Sequence, residues 1–144
     1  MALVEEELTR SIIGAFYEVY NTLRFGFLEK FYVKAMTREL TLRGHRVSRE
    51  VLVPVMYKGE QLGRQRIDMI VDSKIIVETK STLELHKAAK RQVYNYLCAT
   101  NLDVGLLLHF GPEPRFYRQI RGSPLKKDPI DPDNPNDPEE PTAA

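Results

Sequence analysis

The sequence contains very little cysteine and no long apolar segment. Cys98 is the only cysteine among 144 residues, so the chain cannot form an internal disulfide, and its place in a helical pattern predicts a core residue. No apolar run approaches the ~18 residues that span a membrane. The start, Met-Ala-Leu-Val-Glu-Glu-Glu, lacks the basic beginning of a signal peptide. Together these absences predict a protein of the reducing cytoplasm without membrane association.

The chain also lacks internal repeats, and it contains no helix-turn-helix or zinc-finger pattern that would define a sequence-specific DNA target. Its 144 residues fit one domain with a substantial core. The net charge of +1 conceals an asymmetry, because residues 122–144 carry two basic and six acidic side chains. Residues 1–121 therefore carry +5, a basic balance that weakly favours a polyanionic partner.

The last part of the chain differs in composition from the rest. Prolines recur through residues 122–144 among aspartate, asparagine and glutamate, and such a stretch cannot supply a hydrophobic core. We therefore predict one folded domain over residues 1–121, followed by a disordered acidic tail.

The hydrophobic pattern predicts eight elements in the order ααβββαββ. Apolar residues at helical spacing predict helices over residues 5–23, 27–42 and 83–100. Alternating or continuous apolar runs predict strands over residues 47–57, 62–71, 75–80, 104–110 and 115–120. A crossover through the third helix would make the 75–80 and 104–110 strands parallel. The sequence thus predicts an α/β fold in which a mixed sheet is flanked by helices.

The most informative stretch is a hairpin that turns at Asp72-Ser73. Side chains alternate along a strand, so Glu78 and Lys80 share a face, and antiparallel pairing brings Asp68 close to both. Two carboxylates and an ammonium beside apolar strands are costly unless they pair or bind a cation. A surface hairpin with solvated charges is the alternative interpretation.

Two helices carry further candidates. Glu29 lies at the edge of the apolar face of the second helix, where it is either a functional carboxylate or a first-turn glutamate that the helix dipole favours. The first half of the third helix carries Lys87, Lys90 and Arg91. Basic residues near a helix N-terminus oppose its dipole, which indicates either a nearby anion or a solvated basic face.

Three motifs, at residues 26–32, 68–80 and 92–96, together give the chain a family resemblance. The spacing from Asp68 to Lys80, Asp-(x)9-Glu-x-Lys, resembles the signature of the PD-(D/E)XK nuclease fold. Gly26-Phe-Leu-Glu29-Lys-Phe-Tyr32 resembles the motif of the GxxExxY proteins, a group of small prokaryotic proteins in that superfamily. Gln92-Val-Tyr-Asn-Tyr96 is similar to the Gln-x-x-x-Tyr motif of RecB-like nucleases. The resemblance spans about residues 5–120 and implies a restriction-endonuclease-like fold.

The resemblance also implies a set of site residues. Asp68, Glu78 and Glu29 would bind Mg²⁺ or Mn²⁺, together with the carbonyl of Thr79. Lys80 would orient and help to deprotonate the attacking water, or stabilise charge on the phosphate.

Residues outside this carboxylate cluster complete the predicted site. Gln92 and Tyr96 would bind the phosphate or hold Lys80 in place. The candidates for contact with the nucleic-acid backbone are Arg64, Arg66, Lys87, Lys90 and Arg91.

The function predicted first is metal-dependent hydrolysis of phosphodiester bonds in nucleic acid, with DNA as the expected partner. One alternative is a catalytically silent nuclease fold that binds nucleic acid or a partner protein. Another is an interaction module whose charged hairpin is structural. Metal binding distinguishes this last alternative from the first two.

Overall fold

The structure is a computed structural model that describes residues 5–122. All but the first residue of the predicted tail, residues 122–144, lies outside the described residues. Within the described part of the chain, no helix is both long and apolar enough to cross a membrane.

Three helices and five strands follow one another in the predicted order, ααβββαββ. The helices are α1 (Glu6–Leu23), α2 (Glu29–Leu42) and α3 (Ala88–Thr100). The strands are β1 (Val47–Tyr57), β2 (Glu60–Val71), β3 (Ile75–Lys80), β4 (Val104–Phe110) and β5 (Pro114–Ile120). The predicted α/β fold is confirmed.

The strands form one mixed sheet in the order β1-β2-β3-β4-β5. The neighbours β3 and β4 are parallel, and every other pair in this order is antiparallel. Parallel neighbours need a long connection, which α3 provides, as the crossover prediction required. The C-terminal end of β3, where Lys80 lies, therefore faces the loop that leads into α3.

Helices cover both faces of the sheet. Ile75 and Val77 of β3 pack in one cluster with α1 and α2, whereas Ile76 packs in another cluster with Leu97 of α3. All seven residues of β4 are buried, because a central strand covered on both faces has no solvent side. This double burial explains the uninterrupted apolar run from Val104 to Phe110.

The structure corrects three sequence-based expectations. α2 begins at Glu29 and α3 at Ala88, later than predicted in both helices. α3 starts late because the N–H groups of Ala88 and Ala89 donate to the ring nitrogen and carbonyl of His86, which is outside the helix. The prediction that Cys98 is a core residue is wrong: it is exposed, since it lies beside the buried stripe of α3 rather than on it.

The strand β2 is irregular at Asp68. Ile67 and Met69 would share a face in a regular strand, but they belong to clusters on opposite faces of the sheet. On the neighbouring strand, Glu50 lies between the residues paired with Ile67 and Met69, and it has a positive φ of 53°. This conformation is uncommon for a side-chain-bearing residue, and it locally twists the pair of strands next to Asp68.

Candidate active site

The carboxylates of Asp68 and Glu78 lie on the adjacent strands β2 and β3. The backbone N–H of Asp68 donates to Oε1 of Glu78 over 2.8 Å. The N–H and the hydroxyl of Thr79 donate to Oδ2 of Asp68 over 2.9 and 3.1 Å. Within residues 5–122, Oδ1 of Asp68 and Oε2 of Glu78 accept no hydrogen bond. One oxygen of each carboxylate is thus available to a further ligand.

Lys80 lies beside this pair. Its Nζ is 3.9 Å from Oε2 of Glu78, which is too long for a direct hydrogen bond. The Glu78 side chain is buried and the Lys80 side chain is partly exposed. The ammonium therefore sits between a buried carboxylate and solvent, where it can contact an incoming anion.

The electrostatics of the cluster are those of crowded carboxylates. Burial and, to a smaller extent, the neighbouring Asp68 carboxylate raise the pKa of Glu78 to about 8, against the opposing effects of the Asp68 N–H and Lys80. Desolvation and like charges both disfavour the ionised form of a carboxyl group. At neutral pH, Glu78 therefore needs either a proton or an additional cation.

Glu29, the first residue of α2, is affected by the charges of this cluster. Burial raises its pKa, while Lys80 lowers and Asp68 raises it. These mutual effects place the three side chains in one electrostatic environment. Glu29 is half-buried.

The loop before Glu29 is fastened at both ends. The hydroxyl of Tyr32 donates to the carbonyl of Arg24 and accepts the N–H of Phe27 over 3.2 Å. The hydroxyl of Ser81, directly after Lys80, donates to the carbonyl of Phe27 over 2.8 Å. The glycine and tyrosine of the Gly-x-x-Glu-x-x-Tyr motif thus have structural roles. Gly26 adopts a φ of +124° in this loop, and Tyr32 holds the loop by hydrogen bonds.

An open cleft of about 460 Å³ lies between the end of β3 and α3. Lys80, Gln92 and Arg91 line it, so the structure brings the predicted accessory glutamine to the lysine. Tyr96 is buried beneath, and its hydroxyl donates to the carbonyl of Arg66 over 3.3 Å. Burial, with Glu78 and Asp68 nearby, raises the pKa of Tyr96 to about 12, so its hydroxyl remains a donor at neutral pH.

A family model of the PD-(D/E)XK nuclease superfamily matches residues 6–121. The chain belongs to this superfamily. The crystal structure of SSO0001 has a similar fold, with 19% sequence identity and a TM-score of 0.53 over 64% of this chain and 49% of that one. The chain therefore spans about half the length of SSO0001. No curated protein matches the chain with significant similarity.

The cluster of this PD-(D/E)XK domain fits a hard divalent cation only in part. No three side chains of histidine, cysteine, aspartate or glutamate within residues 5–122 lie close enough together to form a complete metal site. The available oxygens of Asp68 and Glu78 are nevertheless the donor type that Mg²⁺ prefers, and Mg²⁺ commonly takes one or two carboxylates and fills its remaining positions with water and phosphate oxygens. The donor set suits such a site.

The predicted backbone-contacting residues are scattered rather than gathered. Only Arg91 lines the cleft among them. The ammonium of Lys90 lies 4.2 Å from the ring centroid of Tyr117, and Arg66 lies 3.9 Å from an oxygen of Glu50. Arg64 is on the exposed part of β2, and Lys87 immediately precedes α3.

Sequence reasoning missed two supports of the site. The hydroxyl of Thr79 donates to Asp68, whereas the family resemblance points only to the Thr79 carbonyl. His109 is buried on β4 opposite Lys80, and its Nε2 lies 2.8 Å from the carbonyl of Thr82. It therefore fixes the backbone just beyond Lys80. The available signal was a single polar residue inside an otherwise apolar buried strand.

Proposed function

We propose that this protein hydrolyses phosphodiester bonds in nucleic acid with a divalent metal ion, Mg²⁺ or Mn²⁺, and that DNA is its substrate. The observation that carries the proposal is the pair of available oxygens, Oδ1 of Asp68 and Oε2 of Glu78, beside the ammonium of Lys80. Membership of the PD-(D/E)XK nuclease superfamily supports it. The GxxExxY and Gln-x-x-x-Tyr resemblances support the same assignment.

The carboxylates have the role of metal ligands in this proposal. Asp68 and Glu78 would bind the ion through their available oxygens, with the carbonyl of Thr79, and Glu29 would contribute from α2. The ion supplies positive charge that polarises the phosphate and promotes ionisation of a bound water. The hydrogen bonds from Thr79 hold Asp68 in one orientation, so little reorganisation is needed on binding.

Lys80 and α3 would act on the substrate. The Lys80 ammonium would orient the attacking water or stabilise charge on the phosphate, as its position at the cleft allows. Gln92 would donate its amide to a phosphate oxygen. Tyr96 is a positioning residue in this proposal, because its hydroxyl binds the backbone two residues before Asp68.

The basic residues would contribute unequally to substrate binding. Arg91 would contact the nucleic-acid backbone in the cleft, with Lys87 at the start of α3. Arg64, Arg66 and Lys90 would add charge from outside the cleft. Contacts of this kind increase affinity without sequence selectivity and weaken with added salt.

A catalytically silent nuclease fold that binds nucleic acid is the second candidate. It is favoured by the incomplete clustering of metal-ligating side chains within the described residues. In that case Glu78 would remain protonated and the cleft would bind a nucleic-acid strand without cleaving it.

Incubation of the protein with labelled single- and double-stranded DNA and RNA, in Mg²⁺, Mn²⁺ or EDTA, tests the proposal. We expect metal-dependent cleavage that falls at least 100-fold in Asp68→Asn, a change that retains an oxygen acceptor for Thr79. Asp103→Asn is the matched control, because Asp103 is exposed and pairs with Arg121. Calorimetry with Mn²⁺ should show binding to the control and much weaker binding to Asp68→Asn.

Each result decides between the candidates. Metal-dependent cleavage that is equal in Asp68→Asn and wild type would contradict the assigned site. Nucleic-acid binding without cleavage of any substrate would favour the silent fold. If the wild-type protein binds no metal, the remaining interpretation is an interaction module whose charged hairpin is structural.

A further inference from the structure

Large apolar side chains are exposed on both sides of Glu29 in the sequence. Phe27 and Phe31 are 47% and 44% exposed, and we call this pair the aromatic platform. Phe25 and Leu28 flank it at 36% and 66% exposure. Exposed single apolar residues need no explanation, but four within one loop and the first turn of α2 mark a binding surface.

The aromatic platform lies beside the candidate active site. Glu29 stands between its two rings in the sequence, and the carbonyl of Phe27 accepts the hydroxyl of Ser81 over 2.8 Å. Ser81 directly follows Lys80, so this hydrogen bond joins the backbone of Phe27 to the residue just after β3. A strand whose phosphate reached Lys80 would carry its next bases past these rings.

The rings are held in place. The Phe27 and Phe31 centroids are 6.2 Å apart with planes inclined at 69°, and the Phe27 ring also packs at 6.2 Å against buried Tyr32. The Tyr32 hydroxyl fixes the backbone of Phe27. A preformed surface loses little conformational freedom when it binds a ligand.

The charge around the platform suits a polyanion. Residues 24–34 include Arg24, Lys30 and Lys34 against Glu29 alone, a net charge of +2. The ammonium of Lys30 lies 5.3 Å from the ring centroid of Phe31. Exposed aromatic rings interleaved with basic side chains are the pattern that binds unpaired bases and their phosphates together.

We propose that the aromatic platform stacks unpaired bases, so that the protein's ligand is single-stranded DNA or RNA, or the single-stranded end of a duplex. Bases inside a duplex have both faces covered by neighbouring bases and cannot stack on a side chain, whereas unpaired bases can. The assignment of substrate class rests on the proposed nuclease function, but the stacking itself is measurable without catalysis.

Equilibrium binding in EDTA, where metal-dependent cleavage is prevented, tests the platform. The probes are a fluorescently labelled DNA oligonucleotide, the RNA of the same sequence and a blunt DNA duplex, followed by anisotropy. The variants are Phe27→Leu and Phe31→Leu, which keep an apolar side chain but remove the ring. Phe116→Leu is the matched control. Phe116 lies on the edge strand β5, is similarly exposed at 37% and packs against Tyr17 of α1.

We expect each platform variant to bind the single strands roughly 5- to 100-fold more weakly than wild type, because stacking one base on an aromatic ring contributes about that much. Affinity for the duplex should change little, and the control should bind as wild type does. The DNA and RNA arms show which single strand is preferred. Circular dichroism melts show whether Phe27→Leu, whose ring packs on Tyr32, retains the fold, and Phe31→Leu carries the test if it does not.

Wild-type affinity for single strands in both variants, no single-strand binding by wild type, or a wild-type preference for the duplex would each overturn the proposal. An apolar protein-docking surface predicts the first of these results, since leucine preserves the apolar area. If both platform variants cleave single strands normally, the stacking proposal is contradicted and the proposed nuclease function is supported. If single-strand binding depends on the rings but the wild-type protein cleaves nothing, the stacking proposal is supported and the nuclease function is contradicted.

Discussion

Oε1 of Glu78 accepts a 2.8 Å hydrogen bond from the backbone N–H of Asp68, and the two side chains repel each other when both are ionised. This bond holds the Glu78 carboxylate and two hydrogen bonds from Thr79 hold the Asp68 carboxylate, so the two groups cannot easily relieve the repulsion by moving apart. It is relieved by a proton on Glu78 or by a cation between the pair. The stability of the metal-free protein therefore depends on pH.

The first prediction is that metal-free stability falls as pH rises. The pKa of Glu78 is about 8 in the folded protein and about 4.5 when unfolded, so folding takes up a proton between these values. Stability from this group is full below pH 4.5 and is lost as pH approaches 8. The loss should be on the order of 3 kcal/mol, measured by urea unfolding in EDTA at pH 5, 6.5 and 8.

Two variants isolate the contribution of Glu78. Glu78→Gln cannot ionise, so it should lose less stability than wild type across this range and be the more stable of the two at pH 8. Glu7→Gln, at an exposed position in the first turn of α1, should keep the wild-type pH dependence. If the unfolding free energy changes equally with pH in all three proteins, Glu78 ionises with an ordinary pKa.

The second prediction separates the two interpretations of Glu29. If Glu29 assists metal binding, Glu29→Gln should lower Mn²⁺ affinity and reduce nuclease activity at least 10-fold, while metal-free stability holds or rises because crowding of carboxylates is relieved. Glu7→Gln is again the matched change, since both residues lie in the first turn of a helix. A small stability loss of a few tenths of a kcal/mol in both variants, with full activity, would indicate a dipole role alone.

The third prediction concerns the Tyr32 hydroxyl. Tyr32→Phe removes its hydrogen bonds to Arg24 and Phe27 and should cost about 1–2 kcal/mol of unfolding free energy. Activity should fall as well, because the loop that positions Glu29 is released. Tyr20→Phe is the comparison, since the Tyr20 hydroxyl donates to backbone carbonyls of a different loop, at Gly111 and Pro112.

Guanidinium unfolding and cleavage assays on both tyrosine variants provide the measurement. Similar stability losses with a selective loss of activity in Tyr32→Phe would support a positioning role. The same activity in the two variants would mean that Glu29 is held without the hydroxyl.

The fourth prediction concerns a hydrogen-bonded chain far from the cleft. The hydroxyl of Ser11 lies 2.7 Å from Nε2 of His45, whose Nδ1 lies 2.7 Å from Oδ2 of Asp72. This is the arrangement of a serine hydrolase triad, but Ser11 is inside α1, where its backbone N–H is used by the helix and cannot help to form an oxyanion hole. These two hydrogen bonds link α1 to the β2–β3 turn through His45.

We therefore expect Ser11→Ala to cost about 1 kcal/mol of unfolding free energy and to leave nuclease activity unchanged. A fluorophosphonate probe should not label the wild-type protein. Covalent labelling that disappears in Ser11→Ala would contradict the structural role and indicate a nucleophilic serine.

The parts of the fold predicted well were those whose pattern follows from burial. The bounds of β1 and β4 were predicted as the structure has them, because one strand alternates and the other is covered on both faces. The start of α3 was predicted too early, since it depends on hydrogen bonds of His86 that no periodicity reveals. Cys98 was misplaced because helical spacing gives the buried stripe but not its width.

The candidate site was predictable where it is local and unpredictable where it is supported from a distance. Turn length and alternation were enough to bring Asp68 beside Glu78 on neighbouring strands. The fastening of the Glu29 loop by Ser81, and the support of Thr82 by His109, join parts of the chain that only the complete fold brings together.

The carboxylate pair and the Glu29 loop differ in how many residues of the chain separate the partners of their hydrogen bonds. The Asp68–Glu78 hydrogen bond closes over 10 residues, whereas the Phe27–Ser81 hydrogen bond closes over 54. Longer closures cost more entropy and generally form later in folding. A folding chain should therefore acquire its paired carboxylates before Glu29 and the aromatic platform join them. During that interval the strands carry the acidic pair without the elements that would select a substrate.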